Sequence, residues 1–99
     1  MNVEIPNQRK AIAFFGEDAQ SLVHCEECGE LIQAVSKMRR AINGGKDTGE
    51  AYENLVEEIA DLLVCREQIQ EMYGIHDHEI QRMVDKKCVR LEAKINGHV

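Results

Sequence analysis

The chain contains few of the large side chains that usually dominate a small hydrophobic core. Its 99 residues include no Trp, two Tyr and two Phe, although 43% of the residues are hydrophobic. The core must therefore be built mainly from Leu, Ile, Val, Met and Ala. Long helices with such aliphatic faces usually bury their remaining apolar surface against another subunit, so we expect an oligomer.

Proline and long apolar runs are also scarce. The single Pro, at position 6, and the absence of any low-complexity stretch predict one domain over residues 1–99. No apolar run approaches the roughly 18 residues of a membrane span, and the N-terminus lacks the apolar region of a signal peptide. These observations predict a soluble cytoplasmic protein that has no membrane partner.

Basic residues are too few to favour nucleic acid as a partner. The chain has 12 Lys and Arg against 18 Asp and Glu, a formal net charge of −6. A protein that wraps nucleic acid needs a basic surface to neutralise phosphates. A nucleotide ligand is not excluded, because a bound divalent cation reverses the local sign of a site.

The four cysteines do not form a recognisable disulfide or zinc framework. Without a secretory signal, and in a chain patterned as helices, reduced thiols are expected. Cys25 and Cys28, preceded by His24, invite a zinc or redox interpretation. We favour small buried helix residues instead, because Cys65 and Cys88 stand alone on other helices and a thioredoxin-type motif would follow a strand.

Apolar residues recur at three- and four-residue steps and predict an all-α chain without strands. The fold class we expect is a four-helix bundle-like domain with a short first helix, two long antiparallel helices and a C-terminal helix. Glycines and the single proline set the boundaries. The predicted helices span residues 2–15, 18–41, 50–73 and about 77–96.

Two acidic pairs interrupt the apolar faces of the second and third helices. Glu27 and Glu30 interrupt an apolar segment of the second helix, and Glu58 and Asp61 interrupt an equivalent segment of the third. At 100° per residue, Glu27 points with the stripe and the other three carboxylates line its edge. Antiparallel packing of the two helices would let all four converge on one pocket.

Carboxylates in such places require a compensating cation, because burying an unpaired charge is costly. Hard divalent cations prefer carboxylate oxygens while keeping waters and substrate phosphates as further ligands. Glu26 and Glu57 precede the two pairs and are candidates for the catalytic base or for supporting the ligands. The alternative is that these acidic residues only solvate helix surfaces, which is common for a single pair of this spacing.

The stretch Glu26-Glu27-Cys28-Gly29-Glu30-Leu31, followed by Glu57-Glu58-Ile59-Ala60-Asp61-Leu62, resembles a known signature. It is similar to the E-x-x-E…E-x-x-D motif of the MazG-like, all-α nucleoside triphosphate pyrophosphohydrolases. The stretch Phe15-Gly16-Glu17-Asp18-Ala19-Gln20 also resembles the segment that precedes this motif in the family. The resemblance covers about residues 13–94.

The resemblance implies Mg²⁺-dependent cleavage of a (deoxy)nucleoside triphosphate between its α and β phosphates, with Mn²⁺ as the other candidate metal. It implies that the two acidic pairs are the metal ligands. It also implies a homodimer or a homotetramer, in which helices of two subunits surround each site.

The family commonly has a Lys and an Arg on the fourth helix that contact phosphate, with an Asn between them in several members. Here Cys88 and Val89 stand between Lys87 and Arg90, and no Asn occurs there. Lys87 and Arg90 are nevertheless the candidates for substrate binding, with Lys86 as the third. The alternative is that these basic residues solvate an exposed helix face.

Two other functions remain open at this stage. One is a family relative that acts on dUTP or phosphoribosyl-ATP. The other is a catalytically inactive regulatory or scaffold bundle that keeps the fold without turnover.

Overall fold

The computed structural model describes residues 3–97, which form four helices and no strand. These are α1 (Arg9–Phe15), α2 (Glu17–Asn43), α3 (Gly49–Tyr73) and α4 (Asp77–Asn96). The all-α class predicted from the sequence is therefore confirmed over these residues. None of the described helices is both long enough and apolar enough to cross a bilayer.

The first helix is shorter than predicted. It begins at Arg9, whereas the sequence pattern placed its start at Asn2, which lies outside the described residues. Pro6 disfavours helical geometry in the residue before it, and residues 3–8 form no helix. Asn7 then accepts a 2.9 Å hydrogen bond from the backbone N–H of Arg9 through its side-chain oxygen, at the first turn of the helix.

The two long helices form an antiparallel hairpin, as predicted. The second helix continues to Asn43, two residues beyond its predicted end, before Gly44 and Gly45 turn the chain. Gly45 has φ of 65°, a left-handed conformation that glycine adopts without steric cost. The backbone N–H of Lys46 donates to the Ala41 carbonyl at 2.9 Å and closes this turn.

Polar side chains connect the helices at the open end of the hairpin. Gln68 of α3 is buried and occupies the centre of this network: its Oε1 accepts a 2.8 Å hydrogen bond from Gln20, and its Nε2 donates to Gln8 at 3.1 Å. The Ser21 and Tyr73 hydroxyls of α2 and α3 lie 2.9 Å apart. The bond to Gln8 attaches the loop before α1 to the hairpin, and the other two join α2 to α3.

Very little of this chain is buried apolar surface. Among residues 3–97, the buried hydrophobic residues are only Ala34 and Cys65, while nineteen large hydrophobic side chains are exposed. A chain of this size has to bury more than half of its unfolded surface to be stable alone. The isolated chain therefore lacks a core that is sufficient for its length.

The fourth helix does not pack with the other three. Gly74, with φ of 64°, ends α3, and the backbone N–H of His76 donates to the Glu79 carboxylate at 2.9 Å where α4 begins. The Gln70 side chain donates to the Ile75 carbonyl and to Asp77 Oδ1 at 3.2 and 2.8 Å. Within the described residues, α4 packs on none of α1, α2 and α3, and it has no buried residue. The bundle within one chain thus contains three helices, not four.

Candidate metal centre

Four carboxylates of the hairpin converge on one point. Glu27 and Glu30 lie one turn apart on α2, and Glu58 and Asp61 lie one turn apart on α3. One carboxylate oxygen from each residue lies within 4.8 Å of those of the other three. We call these four residues the carboxylate cluster. The predicted convergence is therefore present, and the cluster can hold a metal ion.

Two oxygens of the cluster are buried without a hydrogen-bond donor. They are Oε2 of Glu27 and Oε2 of Glu58. Glu58 is thus enclosed to the same degree as Glu27 at this atom, although its sequence position placed it at the edge of the stripe. A buried carboxylate oxygen without a partner is unfavourable, and coordination to a cation would supply the missing partner.

The cluster carries negative charge that its surroundings do not neutralise. The pKa of Glu27 is raised from 4.5 to about 7, first by burial and then by the charges of Asp61 and Glu30. Burial also raises the pKa of Glu58, followed by the charges of Glu30 and Asp61. Within residues 3–97, no Lys or Arg forms a salt bridge with any of the four. The site therefore favours either a proton or a cation.

Two buried groups next to the cluster were not identified as important from the sequence. His24 lies three residues before Glu27, and Cys65 lies four residues after Asp61, so each extends the cluster's face of its helix by one turn. Both are 5% exposed. Their helical spacing from the acidic residues was the only sign in the sequence that they share this face. That spacing does not show whether a polar residue on the face is buried.

Both of these groups are electrically neutral near pH 7. Burial lowers the pKa of His24, and the Gln68 side chain acts in the opposite direction. Neither ring nitrogen of His24 has a hydrogen-bond partner. Burial and, after it, the charge of Glu27 raise the pKa of the Cys65 thiol to about 11. All four cysteines are free, and Cys25 and Cys28 are exposed, so the expectation that they are buried is wrong. The group of metal-ligating side chains found in residues 3–97 contains no His or Cys. Zinc and disulfide interpretations gain no support.

The candidate bases lie beside the cluster. Glu26 and Glu57 are exposed and are not among the four residues that converge. Each is adjacent in sequence to a buried carboxylate, and the charge of Glu57 contributes to the raised pKa of Glu58. Both residues are accessible to water, and the role of either as a base stays a prediction.

The predicted substrate-binding residues lie elsewhere on the chain. Lys86, Lys87 and Arg90 are exposed on α4, which packs on no other helix of the chain in the part that the structure describes. The contacts of a single chain therefore do not bring these basic residues to the carboxylate cluster. Their role in phosphate binding also stays a prediction.

Comparisons of the chain with models of protein families, with characterised proteins and with solved structures find no match. The geometry of the cluster and the resemblance of its sequence motif are therefore the two observations that bear on function.

Proposed function

We propose that the chain is a MazG-like nucleoside triphosphate pyrophosphohydrolase. It hydrolyses a (deoxy)nucleoside triphosphate between the α and β phosphates and releases a nucleoside monophosphate and pyrophosphate. The observation that supports this proposal is the convergence of four carboxylates, two of which have a buried oxygen without a partner. The order and spacing of these acidic residues is the feature that resembles the family's signature.

Glu27, Glu30, Glu58 and Asp61 are the proposed ligands of Mg²⁺ or Mn²⁺. All four supply oxygen, the donor that both cations prefer, and they are too few to fill an octahedral shell if each binds through one atom. Sites of this kind keep open positions for waters and phosphates. When bound, the cation neutralises triphosphate charge and increases the acidity of a coordinated water.

Proton transfer and phosphate binding belong to side chains outside the cluster. Glu26 or Glu57 accepts the proton of the attacking water, since both carboxylates are exposed and adjacent to ligands. Lys86, Lys87 and Arg90 bind phosphate oxygens and stabilise the negative charge that develops on the departing pyrophosphate. This second role requires α4 to approach a carboxylate cluster.

The proposed enzyme is a homodimer or a homotetramer. A chain whose buried hydrophobic residues, within the described part, are Ala34 and Cys65 needs further burial to be stable.

Release of pyrophosphate tests the proposed reaction directly. Wild-type protein is incubated with Mg²⁺ and a panel of ribonucleoside, deoxyribonucleoside and modified triphosphates that includes dUTP, with phosphoribosyl-ATP as a separate substrate. We expect release of pyrophosphate, not of orthophosphate, from at least one of them. Glu58→Gln and Asp61→Asn should each lower the rate by more than about 100-fold with an unchanged helical circular dichroism spectrum.

Glu53→Gln is the matched control for these variants. Glu53 is an exposed residue of α3, five positions before Glu58, and is not part of the cluster. This change removes one negative charge from the same helix and should leave the rate unchanged. Full activity of Glu58→Gln and Asp61→Asn would contradict the proposed site.

An inactive scaffold is the alternative function. It is favoured by one observation, that contacts among residues 3–97 bring no basic residue to the carboxylate cluster. Absence of turnover on the whole panel, together with an unchanged melting temperature in Mg²⁺, would favour the scaffold over the enzyme.

A further inference from the structure

His24 is a buried polar side chain on the helix face that carries the carboxylate cluster. It is 5% exposed, and neither of its ring nitrogens has a hydrogen-bond partner among the residues that the structure describes. It is not one of the four residues whose ligand atoms converge. A buried polar group without a partner costs free energy, because it has lost its hydrogen bonds to water. The described contacts of the folded chain therefore do not explain why a histidine, and not an apolar residue, is buried here.

Glu27 is the carboxylate that lies one turn after His24 on the same helix face. The two residues are three positions apart, so their Cβ atoms are neighbours at about 5–6 Å. Side chains of a helix lean toward its N-terminus, which directs the Glu27 carboxyl back toward the turn that carries His24. Oε2 of Glu27 is itself buried and has no hydrogen-bond donor. Two polar groups without partners therefore occupy successive turns of one face of α2.

The ring of His24 and the carboxylate of Glu27 have complementary hydrogen-bonding groups. A neutral imidazole carries one N–H donor and one acceptor nitrogen, whereas an ionised carboxylate only accepts. His24 is neutral near pH 7, because burial lowers its pKa. Gln68 also lies near the ring, but its oxygen accepts from Gln20 and its nitrogen donates to Gln8. The unpaired oxygen of Glu27 is therefore the acceptor best suited to the ring N–H.

We propose that His24 positions Glu27 in the metal-bound cluster: its ring N–H donates to one oxygen of the Glu27 carboxylate while the other oxygen binds the cation. Cation binding keeps Glu27 ionised and therefore able to accept this bond. The bond fixes the direction of the carboxylate, as hydrogen bonds to metal-binding carboxylates commonly do. His24 contacts neither the cation nor the substrate. The proposal rests on the metal site of the proposed function, and it is independent of the substrate and of the reaction.

Binding of Mn²⁺ in the absence of nucleotide tests the role of His24. Free Mn²⁺ gives an electron paramagnetic resonance signal that is lost on binding, so a titration yields the Kd. We expect His24→Leu to raise the Kd of Mn²⁺ by about 10–100-fold, the usual effect of removing a hydrogen-bond partner of a metal ligand. In EDTA the melting temperature of this variant should be equal to or above that of wild type, because leucine leaves no unpaired polar group. An unchanged Kd would overturn the proposal, whatever the melting temperature.

Two conservative substitutions test whether position 24 acts as a donor. The amide nitrogen of His24→Asn lies near the place of Nδ1, and that of His24→Gln lies near the place of Nε2. We expect one of the two variants to bind Mn²⁺ more tightly than His24→Leu does, and that variant identifies the nitrogen that donates. If both bind as weakly as His24→Leu, position 24 does not act as a donor and the proposal is wrong.

Cys65→Ala is the matched control for a change in packing. Cys65 is also 5% exposed, and it lies four residues after Asp61 on the facing helix. Its replacement disturbs the packing beside the cluster without removing an N–H donor. We expect a lower melting temperature and an unchanged Kd for Mn²⁺. An equal loss of affinity in Cys65→Ala and His24→Leu would show that any packing change here weakens the site, and it would refute a specific role for His24.

The same titrations separate this proposal from the proposed function. Wild-type protein should bind Mn²⁺, and Glu58→Gln should abolish the binding, because Glu58 is a proposed ligand. Absence of binding by wild type, or binding that Glu58→Gln leaves unchanged, would refute the metal site and this proposal with it. Binding that is lost in Glu58→Gln but fully retained in His24→Leu would overturn the role of His24 alone. None of these results depends on hydrolysis of a triphosphate.

Discussion

Gln20 Nε2 on α2 donates a 2.8 Å hydrogen bond to Gln68 Oε1 on α3, and both side chains are buried. Glu27 follows Gln20 by seven residues, and Asp61 precedes Gln68 by seven, so two helical turns separate the amide pair from the carboxylates on each helix. The amide pair therefore fixes the axial register at which the two acidic pairs meet. Sliding by one turn would separate Glu27 from Asp61.

Removing one member of the amide pair should destabilise the protein. Gln68→Ala leaves the buried Gln20 amide without its partner, which costs about 1–3 kcal/mol. For a domain of this size each kcal/mol lowers the melting temperature by about 4–8 °C. Thermal and urea denaturation measure the change. Gln33→Ala, on an exposed face of α2, should change stability by less than about 0.5 kcal/mol.

Replacing both glutamines with leucine removes the hydrogen bond but keeps a side chain of similar size at each position. Gln20→Leu with Gln68→Leu should destabilise less than Gln68→Ala alone, since no buried polar group is left unpaired. If the double variant is less stable than both wild type and Gln68→Ala, the amide pair contributes to stability as well as to the register of the two helices.

Stability without metal should fall as the pH rises from about 4.5 to about 7. The pKa of Glu27 is raised from 4.5 to about 7 in the folded protein, so the folded state holds this proton more tightly than the unfolded state does. The resulting stabilisation is complete below pH 4.5 and is lost as the pH passes 7. Other carboxylates are ionised in the same interval, so the comparison is made between wild type and Glu27→Gln, whose difference isolates this contribution.

Mg²⁺ should raise the melting temperature more at pH 7.5 than at pH 5.5. Metal ligands must be deprotonated, and protons on Glu27 compete with the cation below about pH 7. A ligand at about 100 times its Kd stabilises the folded state by about 2.7 kcal/mol. Differential scanning fluorimetry with Mg²⁺, and with Na⁺ at matched ionic strength, measures the gain. A gain that is equal at both pH values would show that Mg²⁺ acts away from this cluster.

Neutralising Glu27 should stabilise the protein in the absence of metal and abolish its response to Mg²⁺. Glu27→Gln removes a charge that faces three other carboxylates. At pH 7.5 we expect the melting temperature to rise by about 2–5 °C, because the substitution removes a repulsion of less than about 1 kcal/mol. Glu26→Gln, one residue earlier and exposed, is the control for charge alone and should retain the Mg²⁺ response. If the two substitutions have the same effect, the charge of the whole protein matters and the cluster does not.

Gly29 occupies a helix interior without a packing reason within the chain. A Cβ placed there meets no atom within 4 Å, apart from the backbone of its own helix and its chain neighbours. Gly29→Ala should therefore stabilise α2 by about 0.5–1 kcal/mol, because alanine loses less backbone freedom on folding. Thermal denaturation measures the change. Destabilisation, or a lower mass in solution, would instead show that a second copy approaches this glycine closely.

The sequence predicted the helices and the convergence of the carboxylates for the same physical reason. Helical spacing determines which face a residue occupies, and a short loop between two long helices makes them antiparallel. From these two facts Glu27 and Glu58 had to meet near the middle of the hairpin. The start of α1 was wrong because Pro6 and Asn7 act on the backbone locally, against an apolar pattern that continues through them.

The position of α4 was not predictable from the same periodicity. An apolar stripe on a helix has the same spacing whether it is buried within its chain or between chains. The buried state of His24 was likewise hidden, because a polar residue on an apolar face gives no sign of how closely its neighbours approach. Both questions depend on tertiary distances, which the sequence pattern does not contain.

Because the connection between α3 and α4 is short, a small rotation at the base of α4 displaces its far end by a larger distance. Its 20 residues extend over about 30 Å, so a rotation of about 10° at its base moves its tip by about 5 Å. The base is held by the left-handed backbone of Gly74 and by the two hydrogen bonds that the Gln70 side chain donates to Ile75 and Asp77. Arg66 also lies 3.8 Å from Asp77 Oδ1. Two side chains of α3 therefore constrain the direction of a helix whose far end lies several turns away, and Gln70→Ala should loosen that constraint.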